Sequence, residues 1–236
     1  VDNLQFQLSQ TLKPRAEGVA ALKRQLERWV VTRVRGFDPQ KMVACTIVFE
    51  GTHDEVKRQQ RIVQELAALH GGIHAGAENG RKGYELTFGI AYLRDFVMRL
   101  DVLGESFETS VPWSGALALC ERVKARVRRE HAARGLPGQP FITCRITQLY
   151  QTGVAVYFYL GFSVAGVADP LAAYLAIEHA AREEILDAGG SLSHHHGVGK
   201  IRQGFLSTAL SPAARTWTRA VKAAVDPENL LGAGNQ

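Results

Sequence analysis

The chain has 236 residues, enough for one large domain or two small ones, and 46% hydrophobic with 22% charged residues excludes a disordered protein. No apolar run approaches the roughly 20 residues a bilayer-spanning helix needs. The net charge of +5, from 28 basic against 23 acidic residues, would favour an anionic substrate or a membrane surface but is too diffuse to identify either.

Helical spacing from Leu12 to about Val34, with Pro14 in its first turn, predicts a helix ending near Gly36. Met42 to Phe49 is a short β-rich run. Thr52-His-Asp-Glu55 has capping-box spacing, and behind it Ile62, Val63, Leu66 and Leu69 recur on one helical face that should point at a core, until Gly71-Gly72 stops it. Gly76-Ala-Glu-Asn-Gly80 reads as a loop. Phe107 to Val111 is a strand closed by Pro112, and Leu119, Val123 and Val127 form the stripe of the next helix, to about Gly135. The basic cluster Lys124 to Arg129 lies within it and is expected to be its solvated face.

Ile142, Cys144 and Ile146 alternate with polar residues, as do Val154, Val156, Phe158, Leu160 and Phe162 with Ala155, Tyr157 and Tyr159. Two such runs around Gln151-Thr-Gly153 predict an antiparallel hairpin, with Tyr157 and Tyr159 on the less apolar face. Asp169-Pro170 opens an Ala-rich helix that runs to Gly189-Gly190, and Ser211-Pro212 opens a last helix that Asp226-Pro227 ends. No linker divides the chain. The pattern is α+β: an antiparallel sheet covered by helices. Cys45, Cys120 and Cys144 are too few for a disulfide framework or a four-thiolate metal site and are expected as small core residues in a reducing compartment. The chain starts at Val1 without a signal peptide and is expected to be a piece of something longer.

The chemistry-bearing segment is Ser191-Leu-Ser-His-His-His-Gly-Val-Gly-Lys200. As a metal site it is poor, because neighbours on a strand point to opposite faces and no second ligand cluster accompanies it. Two readings stay open: an acid–base edge of an active site, or structural histidines. Arg94, in the rather apolar Ala91-Tyr-Leu-Arg-Asp-Phe96, needs Asp95, Asp101 or a bound phosphate as partner. Tyr157 reads as a half-buried strand tyrosine. There is no phosphate-cradling glycine loop and no dinucleotide fingerprint.

The triple-histidine segment resembles that of the alkyldihydroxyacetonephosphate synthase family, ether-lipid enzymes among the vanillyl-alcohol-oxidase-type flavoproteins. The likeness continues in Gly104-Glu-Ser-Phe-Glu-Thr-Ser110, Thr143-Cys-Arg-Ile-Thr-Gln148, Tyr157-Phe-Tyr159, Ala180-Ala-Arg-Glu-Glu-Ile185 and Asp226-Pro-Glu-Asn-Leu230. It implies that residues 1–236 are the C-terminal substrate or cap region with its closing helices. About 191–236 would fold back toward an upstream domain that supplies most FAD contacts and a further arginine. It implies an exchange without net redox: flavin N5 attacks C1 of acyl-dihydroxyacetone phosphate, the fatty acid leaves, and a long-chain fatty alcohol takes its place. Arg94 matches the substrate-phosphate arginine, Tyr157 the acid/base tyrosine, and His194, His195 and His196 the triple histidine. On a strand-like segment only one or two of these can face the site, with His195 and His196 favoured. Flavin and neighbouring cations would have to lower the tyrosine's pKa before it could act as a base. Gly232-Ala-Gly-Asn-Gln236 departs from the family's tail. Two other readings compete: an FAD-dependent oxidoreductase of a 2-hydroxy acid, and a non-catalytic binding or dimerisation module. The resemblance further implies no nucleic acid, peripheral membrane contact, a homodimer, and a cytoplasmic setting for a bacterial source or a peroxisomal one for a eukaryote.

Overall fold

The computed structural model describes residues 1–11 and 17–235, with side chains at all of these except 20 and 82–91. The chain forms two units, Val1–Lys13 with Val97–Gln236, and Pro14–Phe96. No composition shift marks either boundary, so the sequence reads as undivided.

In the first unit, β1 (Val102–Pro112), β2 (Phe141–Leu149) and β3 (Gly153–Ser163) form an antiparallel sheet in the order β1-β3-β2. The alternation seen in the sequence sets its two faces. Val154, Val156, Phe158, Leu160 and Phe162 are buried in a core shared with α5 (Ala116–Ala133) and α6 (Pro170–Asp187). Leu119, Val123 and Val127 are fully buried along α5, each contributing on the order of 1.5–3 kcal/mol. Phe107 stacks on Phe158 with ring centroids 5.1 Å apart. On the opposite face the register sets Glu108 and Arg145 on either side of Tyr157, and Ser106 and Thr143 on either side of Tyr159.

Each sheet edge is engaged at one point by a neighbouring segment. Asp2, just ahead of α1 (Asn3–Thr11), donates its amide to Cys144 O at 3.1 Å and accepts from Cys144 N at 3.0 Å. On the β1 side, Ser191 N donates to Ser110 O at 2.8 Å and Ser110 N donates to Ser191 Oγ at 2.9 Å. Asp169 caps α6 by accepting from Ala172 N, with Pro170 at the first helical position. Two short turns, α7 (Gly199–Arg202) and α8 (Leu206–Ala209), lead to α9 (Pro212–Val225), which Ser211 caps in the same way. The basic stretch of α5 is only partly solvated. Lys124 sits between Asp2 and Glu121, and Arg126 reaches Glu183 of α6 at 3.0 Å.

The second unit carries α2 (Gly18–Trp29), which passes into a π-helical turn over Val30–Val34 and ends before Gly36 at φ 71°. Leu12 and Pro14 lie outside the described residues. In α3 (His53–Leu69) the capping box forms, Glu55 Oε2 accepting from Thr52 N at 2.8 Å and from Thr52 Oγ1 at 2.7 Å. Four expectations fail here. Met42–Phe49 is extended but forms no strand, because β-branched residues favour extended chain while a strand needs a ladder partner, and no described residue supplies one. The segment after Gly76 is helical rather than a loop. Gly76 takes φ 87° and α4 (Ala77–Met98) starts immediately after it. The apolar stripe of α3 is uncovered, with Ile62, Leu66 and Leu69 at 44%, 53% and 79% exposure. Cys45 is exposed, whereas Cys120 and Cys144 are buried. No described side chain of this unit is buried.

Candidate active site

The site is built where α6 hands over to the histidine segment. Gly189, at φ 78°, ends the helix, and Gly190 lies where a Cβ would come within 2.8 Å of Ile185, Leu119 and Thr109 side-chain atoms. This close approach lets the chain turn onto the open edge of β1. Leu192 is buried, and its carbonyl accepts from Arg182 Nη1 at 3.0 Å. The same nitrogen donates to Glu108 O at 2.8 Å, and Arg182 Nε donates to Glu178 at 2.8 Å. Arg182 is fully buried with its ring-facing side over Phe107, so one guanidinium ties α6, β1 and the histidine segment together.

Beyond Leu192 the chain wraps around a single carboxylate. Glu108 is fully buried and accepts from Ser193 Oγ at 2.7 Å, from His194 N at 2.6 Å, from His196 N at 3.0 Å and from His195 N at 3.4 Å. Successive amides converging on one point form an anion-binding nest. Burial alone would raise the Glu108 pKa. The Ser193 hydroxyl and the amides of His196, His194 and His195 outweigh it and hold the carboxyl at about 2. Gly197, at φ 76°, lets the chain leave the nest.

This wrapping corrects the strand-like reading of the segment. Residues 191–198 are a loop, and each of the three imidazoles reaches a tyrosine hydroxyl. Tyr157 Oη lies 2.7 Å from Nε2 of His195 and 2.7 Å from Nε2 of His196. His194 Nε2 lies 2.8 Å from Tyr150 Oη, and His194 Nδ1 lies 2.7 Å from His195 Nδ1. Glu108, His194 and His195 offer ligand atoms within 4.8 Å of one another, a spacing metals use. The opposite-faces argument against a metal therefore does not hold. What speaks for a hydrogen-bond network instead is that the Glu108 lone pairs are taken by Ser193 and the amides, and the two histidines' ring nitrogens by tyrosines and each other.

Burial raises the Tyr157 pKa, the Glu108 and Tyr159 charges add to this, and Arg145 opposes it. In this chain by itself the phenol is therefore neutral at pH 7. Burial lowers the His196 pKa against the pull of Glu108, which leaves a neutral ring able to accept a proton. Arg145 packs its guanidinium 5.6 Å from the Tyr157 ring centroid and 5.1 Å from that of Tyr159, and its buried Nε has no partner among the described residues.

Tyr157, His194, His195 and His196 are thus brought together. Arg94 belongs to the other unit, on α4, where it is exposed and stands 3.5 Å from Asp95 Oδ1, the ion-pair partner its neighbourhood suggested. Glu108, Arg182, Arg145 and Tyr150 were not singled out from the sequence. The first three lie within segments that carry the resemblance, and Glu108 alternates with Phe107 and Thr109 on a strand, so its place on the polar face was legible. Nothing local marks Tyr150.

The profile of "FAD linked oxidases, C-terminal domain" matches residues 1–235. The chain is 44% identical over 236 residues to the alkyldihydroxyacetonephosphate synthase of Caenorhabditis elegans, covering 100% of this chain and 40% of that protein. It is 25% identical over 232 residues to the synthase of Dictyostelium discoideum, covering 97% of this chain and 37% of the relative. The chain therefore spans about two fifths of the length of these curated relatives. A solved alkyldihydroxyacetonephosphate synthase structure superposes with a TM-score of 0.66 at 21% identity, covering 97% of this chain and 38% of that one, and so shares its fold. On the profile match across nearly its whole length, together with the antiparallel sheet and helices described above, this chain belongs to the FAD-linked oxidase C-terminal domain family.

Proposed function

We propose that the chain is the C-terminal part of a flavin-dependent alkyl transferase that exchanges the acyl group of acyl-dihydroxyacetone phosphate for a long-chain fatty alcohol, without net redox. The observation that carries this reading is the Tyr157 hydroxyl held 2.7 Å from two imidazoles on the polar face of the sheet. The 44% identity to a named synthase along the whole chain supports it. The polar face fits the reacting end of FAD: two tyrosine rings, imidazoles, and a guanidinium with an unpartnered buried N–H. A bound flavin would supply the nucleophile toward C1; its adenine and pyrophosphate would be held by the upstream half.

The chain's own residues supply proton handling and anchoring. Tyr157 donates to, or takes a proton from, the substrate oxygens, and His195 and His196 flank it as donor and acceptor. Arg94 binds the phosphomonoester, for which its planar fork is suited. Residues from about 191 to 236 turn back toward the flavin-binding half. Two long-chain substrates make a membrane-peripheral, homodimeric enzyme the form we expect, cytoplasmic in a bacterium and peroxisomal in a eukaryote. The test uses the longer parent protein loaded with flavin, acyl-dihydroxyacetone phosphate and a labelled alcohol. Labelled ether without oxygen uptake, falling by about 100-fold or more in Tyr157→Phe and Arg94→Ala variants that retain flavin, is the expected result. Flavin bleaching by a 2-hydroxy acid with no ether formed would refute it.

A further inference from the structure

The contacts around Tyr157 join five side chains in series: Tyr150 Oη to His194 Nε2 at 2.8 Å, His194 Nδ1 to His195 Nδ1 at 2.7 Å, His195 Nε2 to Tyr157 Oη at 2.7 Å, and Tyr157 Oη to His196 Nε2 at 2.7 Å. Each contact needs one proton between its two atoms; a neutral imidazole donates from one nitrogen and accepts at the other, and a hydroxyl donates only once, so fixing His196 Nε2 as an acceptor fixes the order of the whole series. Glu108 provides that fixed point. His196 Nδ1 stands 3.7 Å from Glu108 Oε1, too far for a hydrogen bond, but the field of the ionised carboxylate favours the tautomer that carries its hydrogen on Nδ1 and presents the Nε2 lone pair. Tyr157 then donates to His196, His195 donates from Nε2 to Tyr157, His194 donates from Nδ1 to His195, and Tyr150 donates to His194. Tyr150 Oη has a second contact, Gln148 Oε1, but at 3.3 Å it is the longer one. Tyr150 is 46% exposed on the hairpin turn, with its carbonyl held by Trp113 Nε1 at 2.9 Å.

We propose that Tyr150, His194, His195, Tyr157 and His196 form a single proton relay, with its direction set by Glu108 and Tyr150, on the hairpin turn, as its terminal member. Tyr150 is a positioning and proton-supplying residue, and Glu108 a positioning residue; neither is a substrate ligand. The relay gives Tyr157 a supply on one side and a sink on the other. When Tyr157 gives up its proton, His195 Nε2–H replaces it. His195 Nδ1 takes the His194 Nδ1 proton, His194 Nε2 takes the Tyr150 proton, and water reprotonates Tyr150. Every N–H or O–H broken is matched by one formed, and the net change is one proton from solvent to the acceptor of Tyr157. When Tyr157 instead passes its own proton to His196 Nε2, the imidazolium faces Glu108, with Arg202 and Arg182 as the opposing charges and Arg145 beside Tyr157. The relay assigns different work to the three histidines: His196 accepts, while His195 and His194 resupply.

The proposal rests on Tyr157 being the acid/base of the reaction above, but part of its test does not. In the flavin-loaded parent protein, Tyr150→Phe should lower kcat about tenfold with the substrate KM within about twofold, and added imidazole should restore most of the loss. Adding Tyr150→Phe to His195→Asn should cost nothing further, because the two act in series. An unchanged kcat, a loss that imidazole does not restore, or additive losses would overturn the relay. Independently of turnover, site-resolved carbethoxylation by mass spectrometry reads the free lone pair of each imidazole. Tyr150→Phe uncaps His194 Nε2, so His194 should react several-fold faster. No change at His194 would mean the opposite proton order or no relay, and overturns the proposal even in a protein that makes no ether. Absence of ether in the wild type with faster His194 modification in the variant would instead overturn only the alkyl-transfer reading.

Discussion

Replacing Glu108 by Gln keeps its shape but removes the charge that the nest encloses. The carboxyl is fully buried and held at about 2, against 4.5 for an ordinary glutamate, by Ser193 and three amides that outweigh burial. A displacement of that size corresponds to about 3 kcal/mol of folding free energy at neutral pH. Glutamine forfeits it, and turns an amide NH2 toward N–H donors. For a chain of this length we expect the melting temperature to fall by roughly 6–12 °C at pH 7. The sign of the pH dependence follows from the depressed value. The contribution is complete above 4.5 and drains away as pH falls toward 2, at about 1.4 kcal/mol per pH unit. The wild-type protein should therefore outlast the variant by about 3 kcal/mol at pH 7 and by about 2 kcal/mol at pH 3.5. Thermal melts of the two proteins across this range measure both numbers. A gap below about 1 kcal/mol at pH 7, or one that stays constant down to pH 3.5, would show that the nest does not hold an ionised carboxylate.

Arg182→Met should cost about 3–5 kcal/mol, because it leaves Glu178 buried without its cation and frees the carbonyls of Glu108 and Leu192. Pairing it with Glu178→Leu should recover much of the loss in the same denaturation assay. Gly190→Ala should cost about 1–3 kcal/mol, since its Cβ would stand 2.8 Å from Ile185, Leu119 and Thr109 atoms. A variant as stable as the wild type would mean that the α6-to-β1 crossing is looser than described.

Local rules succeed wherever the partner of a residue is near in sequence or set by periodicity. The β2–β3 hairpin follows from two alternating runs around a glycine turn, α5 from its buried stripe, and the starts of α6 and α9 from an N-cap followed by proline. The same rules fail at Met42–Phe49, where extended preference finds no ladder, and along α3, where amphipathic spacing finds no cover among the described residues. Periodicity says which face is apolar but not whether anything packs on it.

The site divides along the same line. The triple histidine and Tyr157 stand out from composition, strand alternation and resemblance, and those signals were enough to nominate them. Their arrangement depends on contacts spanning 86 to 88 residues, in which Glu108 gathers the amides of His194 and His196. No spacing rule connects a strand carboxylate to a distant run of backbone N–H groups, because backbone donors look alike in every sequence. Folding decides which of them meet. That meeting turns a segment with strand-like composition into a loop, brings three imidazoles to two tyrosine hydroxyls, and leaves Tyr157 a neutral phenol between two of them.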